Sequence, residues 1–75
     1  MRSLNYEEFR QAIISKSIEI IDNEAKKIND NIQKLKLDLQ VGVINREAVV
    51  NIYLSVKKIE STLEFMSYYF TNLDK

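Results

Sequence analysis

Leu39-Gln40-Val41-Gly42-Val43-Ile44-Asn45-Arg46-Glu47 holds the only glycine of a 75-residue chain that has no proline. Glycine enters φ > 0 without a Cβ penalty, so it commonly stands one position past a helix C-cap. Gly42 suits a helix closing at about Val41, with Val43 or Ile44 folding back toward Leu39 as in a Schellman motif. Asn45 then reads as the N-cap of a second helix, and Ile44 and Val49 have hydrophobic-staple spacing around it. Stop and start signals this close together predict a turn over 42–45 between two antiparallel helices. The alternative is one very long helix with the glycine inside it.

Upstream, Asn5-Tyr6-Glu7-Glu8 opens the first helix. Asn5 is a good N-cap, Glu8 completes a capping-box spacing, and two acids favour the positive end of the helix dipole. Leu4 and Phe9 also have staple spacing. From there Ile14, Ile18, Ile21, Ala25, Ile28, Ile32, Leu35 and Leu39 recur in alternating steps of four and three. Downstream, Val49, Ile52, Val56, Ile59, Leu63, Met66, Phe70 and Leu73 do the same. Each series is a coiled-coil heptad seam. Helices over about 6–41 and 46–73 follow. Folding at the turn lays the seams together, in layers such as Leu35 with Ile52, Ile28 with Ile59 and Ile21 with Met66. Asp22-Asn23-Glu24 offers a cap for a third helix, but the seam runs through it, so a single helix is expected there.

Composition bounds what such a hairpin does. Residues 1–75 make one small domain, too short to bury a large core alone. Lys+Arg and Asp+Glu are both 11, so bulk charge selects neither a long nucleic acid nor an anionic membrane. Cysteine and histidine are absent, which removes disulfides, thiol chemistry, the commonest transition-metal ligand and the commonest general base. No apolar run is long enough to span a membrane, and the first residues lack a signal-peptide core, so the cytoplasm is the expected location.

Carboxylate pairs such as Glu60/Glu64 could approach a metal, but without histidine the di-iron bundle pattern does not form. They suit solvated helix faces and local ion pairs with residues such as Lys57. No cofactor, no metal and no enzymatic activity are expected.

The seams leave apolar residues unexplained. Tyr6, Ile13 and Ile20 recur every seven residues, about 100° round the helix from Ile14 and Ile21, with Phe9 nearby. Phe65, Tyr68 and Tyr69 lie off the second seam. Six of the seven aromatics fall near the open end, opposite the turn. Ser15, Ser17, Asn29, Asn31, Ser55, Thr62 and Ser67 border the seams, where a free two-stranded coil usually carries charge; small neutral residues suit partly covered flanks.

The expectation is an all-α helical hairpin that dimerises into a four-helix bundle through Tyr6, Phe9, Ile13, Ile20, Phe65, Tyr68 and Tyr69. It would act as a non-enzymatic protein–protein interaction module (adaptor, inhibitor or regulatory subunit), with a second protein as a further partner. The alternative is a nucleic-acid-binding regulator. Lys26, Lys27, Lys34, Lys36, Lys57 and Lys58 gather with Arg46 in the turn half, opposed between residues 26 and 58 only by Asp30, Asp38 and Glu47.

Overall fold

The computed structural model describes residues 5–73, the side chains of 71–73 excepted. Leu4, and the side chain of Leu73, therefore lie outside the described residues. Two helices account for almost all of it: α1, Tyr6–Gln40, and α2, Arg46–Leu73. They pack against each other as a helical hairpin.

Both starts are capped as the residue types dictate. The Glu8 N–H donates to Asn5 Oδ1 at 2.8 Å, and the Ala48 N–H donates to Asn45 Oδ1 at 2.9 Å. α1 runs through residues 22–24 without a break. The unbroken seam outweighs the local capping signal of Asp22 and Asn23.

The turn is a complete Schellman motif. Val41 is the C-cap, and Gly42 stands at φ +78°. The Gly42 N–H donates to the Leu39 carbonyl at 2.9 Å, and the Val43 N–H to the Asp38 carbonyl at 3.0 Å. Two of the carbonyls that every helix end leaves free are thereby satisfied. Asn45 Nδ2 reaches back to Asp38 Oδ2 at 2.9 Å, so the cap of α2 is tied to the last turn of α1.

That tie sets a register different from the expected layers. Cross-helix contacts join Asp38 to Asn45, Asn31 to Asn51, Glu24 to Lys58 and Arg10 to Phe70. They place Ile28 level with Ile52, Ile21 with Ile59 and Ile14 with Met66. The pairing is offset by a heptad along α2 from the one a symmetric turn would give. The chain reverses within the Schellman motif, and Asn45 lands beside Asp38 rather than beyond Gln40.

The helices are also rotated about their axes from the expected facing. Ser17, Glu24 and Asn31 are the buried residues of α1, and Ala48 and Ser55 those of α2. These rows repeat every seven residues and point straight at each other. Ala48, 1% exposed, is the only buried hydrophobic side chain among the described residues. Half of each apolar seam (Ile14, Ile21, Ile28 and Leu35; Ile52, Ile59 and Met66) lines the interface and is half-buried. Most of the other half is turned outward: Ile18 is 55% exposed, Leu39 64% and Leu63 51%, while Ile32 and Phe70 are half-buried.

Thus the hairpin is one layer of helices, with principal extents of 59 × 27 × 13 Å. Its radius of gyration is 17.6 Å, against about 11 Å for a compact domain of this length. Its accessible surface is 6022 Å² at 8.8 kDa, where a compact monomer exposes about 4,800 Å².

Candidate interaction surfaces

The two sides of the hairpin have opposite chemistry. One groove is lined by Ile13, Lys16, Ser17 and Ile20 of α1 with Ser61, Thr62 and Phe65 of α2, so these residues share a side. Helical geometry then puts both seams on the reverse side. There α1 contributes Ile14, Ile18, Ile21, Ala25, Ile28, Ile32, Leu35 and Leu39, and α2 contributes Val49, Ile52, Val56, Ile59, Leu63, Met66 and Phe70. No charged or polar residue interrupts these rows. From Ile14 to Leu39 the face runs about 38 Å at 1.5 Å per residue. Two helices wide, it offers on the order of 700 Å² per copy, close to one side of a standard protein–protein interface.

The groove side is mixed. At the open end Ile13, Ile20 and Phe65 bound a shallow apolar groove of about 380 Å³. Tyr69 is half-buried and stacks on Phe65, with centroids 6.0 Å apart and planes 26° apart. It meets the Phe70 ring edge-on at 6.4 Å, and the Arg10 guanidinium lies 5.5 Å over that ring. Of the seven residues expected to form an association surface, Ile13, Ile20 and Phe65 come together and Tyr69 supports them. Tyr6 and Phe9 are exposed on α1. Tyr68 is 71% exposed, one heptad beyond Ser61 at the α2 edge of the groove side.

Midway along the same side the groove turns polar, lined by Glu24, Lys27, Asn31, Asn51, Leu54, Ser55 and Lys58. Glu24 is buried, and its carboxylate accepts from Lys27 Nζ at 3.1 Å with Lys58 Nζ at 3.8 Å. The Lys27 ammonium holds the Glu24 carboxyl below the usual glutamate value. The Ser55 hydroxyl and the charge of Lys58 act the same way, against the desolvation that opposes them. Asn31 donates to the Lys27 carbonyl at 2.8 Å and receives Asn51 Nδ2 at 3.4 Å. Ser17 donates to the Ile13 carbonyl at 3.0 Å. Every buried side-chain polar atom among the described residues has a partner. The polar row is therefore built to sit between the helices at no cost in unmet hydrogen bonds.

The six lysines of the turn half do not form one surface. Lys27, Lys34 and Lys58 share the groove side. Lys26 pairs with Asp22 at 3.0 Å and Lys57 with Glu60 at 3.5 Å, and helical spacing puts the exposed Lys36 at the opposite edge of α1 from Lys27 and Lys34. Four of the six are engaged by carboxylates of their own chain.

Among the described residues no group of three or more His, Cys, Asp or Glu could hold a metal ion. No helix there is long and apolar enough to cross a membrane. The chain matches no family model, no curated protein and no solved structure.

Periodicity alone missed the central row Ser17–Glu24–Asn31 facing Ala48–Ser55–Thr62. Its signal is present in Ala48, Ser55 and Thr62, small neutral residues spaced by seven on α2, and in Ser17 and Asn31 on α1, with the charged Glu24 between them. Small side chains let helix backbones approach, and that spacing marks where the two helices touch.

Proposed function

We propose that the protein is a non-enzymatic protein–protein interaction module that works as a homodimer, two hairpins stacked through their apolar faces into a four-helix bundle. The observation that carries this reading is the uncharged face of fifteen seam residues, seven of them half-buried along the helix interface, on a hairpin that fully buries only Ala48 among the hydrophobic side chains of its described residues. A stable domain needs two packed layers around a core, and one hairpin supplies a single layer. A second copy supplies the other with the same apolar chemistry and the same length. The isologous contact closes on itself, so the apolar surface is used up.

This assignment moves the dimer contact from the open-end aromatics to the seam. Ile13, Ile20 and Phe65 then remain on the outer side of the bundle, where a partner's apolar side chain can enter their groove. The absence of histidine and cysteine supports a binding role over catalysis.

Sedimentation equilibrium over a dilution series from high to low micromolar tests the reading. Twice the chain mass is expected, falling toward the single-chain mass only on strong dilution. A well-folded monomer throughout would overturn it. A salt-sensitive mobility shift with RNA or DNA would favour the nucleic-acid alternative instead.

A further inference from the structure

Two apolar faces stack about a twofold axis in either of two ways. With the axis along the helices, both turns lie at one pole and α1 of each copy covers α2 of the other. With the axis across the helices, each turn covers the other copy's open end, and α1 lies on α1. Both bury the same apolar rows. The charged rim of the face separates them.

Just outside the apolar rows, helical geometry places Asp22 and Lys36 on α1 and Arg46 and Glu60 on α2. The register fixed by the Asn31–Asn51 and Glu24–Lys58 contacts sets Lys36 level with Arg46 and Asp22 level with Glu60. The rim is thus cationic beside the turn and anionic toward the open end. Lys26 and Lys57 bridge Asp22 and Glu60, but each sits further round the back of its helix, so the carboxylates are nearer the face. Among the described residues Lys36 and Arg46 make no ion pair. The whole hairpin repeats the pattern. On the open side of the Glu24–Lys58 level the described residues carry six carboxylates against two cations, and on the turn side six cations against three carboxylates.

Turn-on-turn stacking would set Lys36 against Arg46 of the other copy and Asp22 against its Glu60, like charge on like at both poles. Turn-on-end stacking sets cations against carboxylates at both poles. Charge sets orientation where apolar burial is indifferent to it. We propose that a second copy of this chain covers the apolar face in antiparallel orientation, its turn over the open end of the first, with Lys36 and Arg46 facing the acidic rim. This rests on the homodimer reading above.

The chain has no cysteine, so Gln40→Cys, at an exposed site beside the turn, carries a single nitroxide label. Pulsed dipolar spectroscopy of the labelled protein is expected to give a separation of about 35–50 Å, from the helical rise between Gln40 and the bundle centre. A separation under about 25 Å with dimer mass would overturn the orientation and leave the homodimer standing. Single-chain mass with no dipolar signal would overturn both. Charge exchange gives a second readout. Lys36→Glu is expected to weaken dimerisation about three- to ten-fold at low salt, and adding Asp22→Lys to restore it. Tighter dimerisation of Lys36→Glu alone would contradict the antiparallel arrangement, because that is what turn-on-turn stacking requires.

Discussion

Asn45 joins the two helices of the hairpin through both ends of its amide: Nδ2 donates to Asp38 Oδ2 at 2.9 Å, while Oδ1 accepts the Ala48 N–H at 2.9 Å. One side chain therefore caps α2 and anchors that cap to the last turn of α1. The pair shares its register with the Asn31–Asn51 and Glu24–Lys58 contacts further along the helices.

Asn45→Asp separates the two roles. As an N-cap, aspartate is about as good as asparagine. Here it would lose the donor to Asp38 and set two carboxylates side by side. We expect Asn45→Asp to destabilise by about 1 kcal/mol, and Asn45→Ser, which keeps the cap without the added charge, to cost less. Urea unfolding checks this. Equal stability of Asn45→Asp and wild type would show that the clamp has no role.

Gly42 stands at φ +78°, and a Cβ built there meets nothing within 4 Å. The cost of a side chain is then purely conformational. Gly42→Ala should destabilise by about 1 kcal/mol, with no change in mass or helix content. A neutral Gly42→Ala in the same unfolding assay would mean that the left-handed turn is absent.

Glu24 gives the fold a pH dependence of known sign. Its carboxyl is held below the ordinary value, chiefly by Lys27. The folded state therefore binds that proton more weakly than the unfolded chain does. The resulting stability is present at neutral pH and is lost as pH falls below the ordinary glutamate range through the lowered value. Thermal unfolding across that range should show melting temperature dropping on acidification, with a shallower drop in Glu24→Gln. Parallel pH profiles for the two proteins would remove Glu24 from the account.

The apolar face and the open-end groove should respond to substitution independently. Ile18 is 55% exposed and Leu63 51% exposed in the single hairpin, so an aspartate at either position costs little if nothing covers them. In the bundle it buries a charge, and the dimer should dissociate by at least about 100-fold in Kd. Ile13→Asp lies on the other side and should leave the dimer intact while closing the groove to a partner. Loss of the dimer in Ile13→Asp with its retention in Leu63→Asp would exchange the roles of the two faces.

Much of this architecture was legible in the residues. The lone glycine, the two asparagine caps and the unbroken heptads define two helices and a turn, because each is a local signal with a local cause. The register is not legible, since it rests on contacts across the hairpin such as Asn45 with Asp38 and Asn51 with Asn31. The facing differs from the expected one for a related reason. Periodicity puts the most apolar stripe of each helix between the helices, yet Ser17, Glu24, Asn31 and Ser55 occupy that position. A stripe read from one chain shows what must be buried, but does not say whether its own second helix or another molecule buries it. The residues beyond the seam, Tyr6, Phe9, Ile13, Ile20, Phe65, Tyr68 and Tyr69, are legible as excess apolar surface, but the sequence does not rank them against a seam that itself faces outward.

Small-angle X-ray scattering with absolute mass calibration, on the wild-type chain at micromolar concentration, distinguishes the four-helix bundle from a lone hairpin. A single hairpin has extents of 59 × 27 × 13 Å. Stacking a second copy on the apolar face should double the mass and the thin dimension while the maximum dimension grows far less than two-fold. A folded particle of single-chain mass, with a radius of gyration near 17.6 Å, would contradict it.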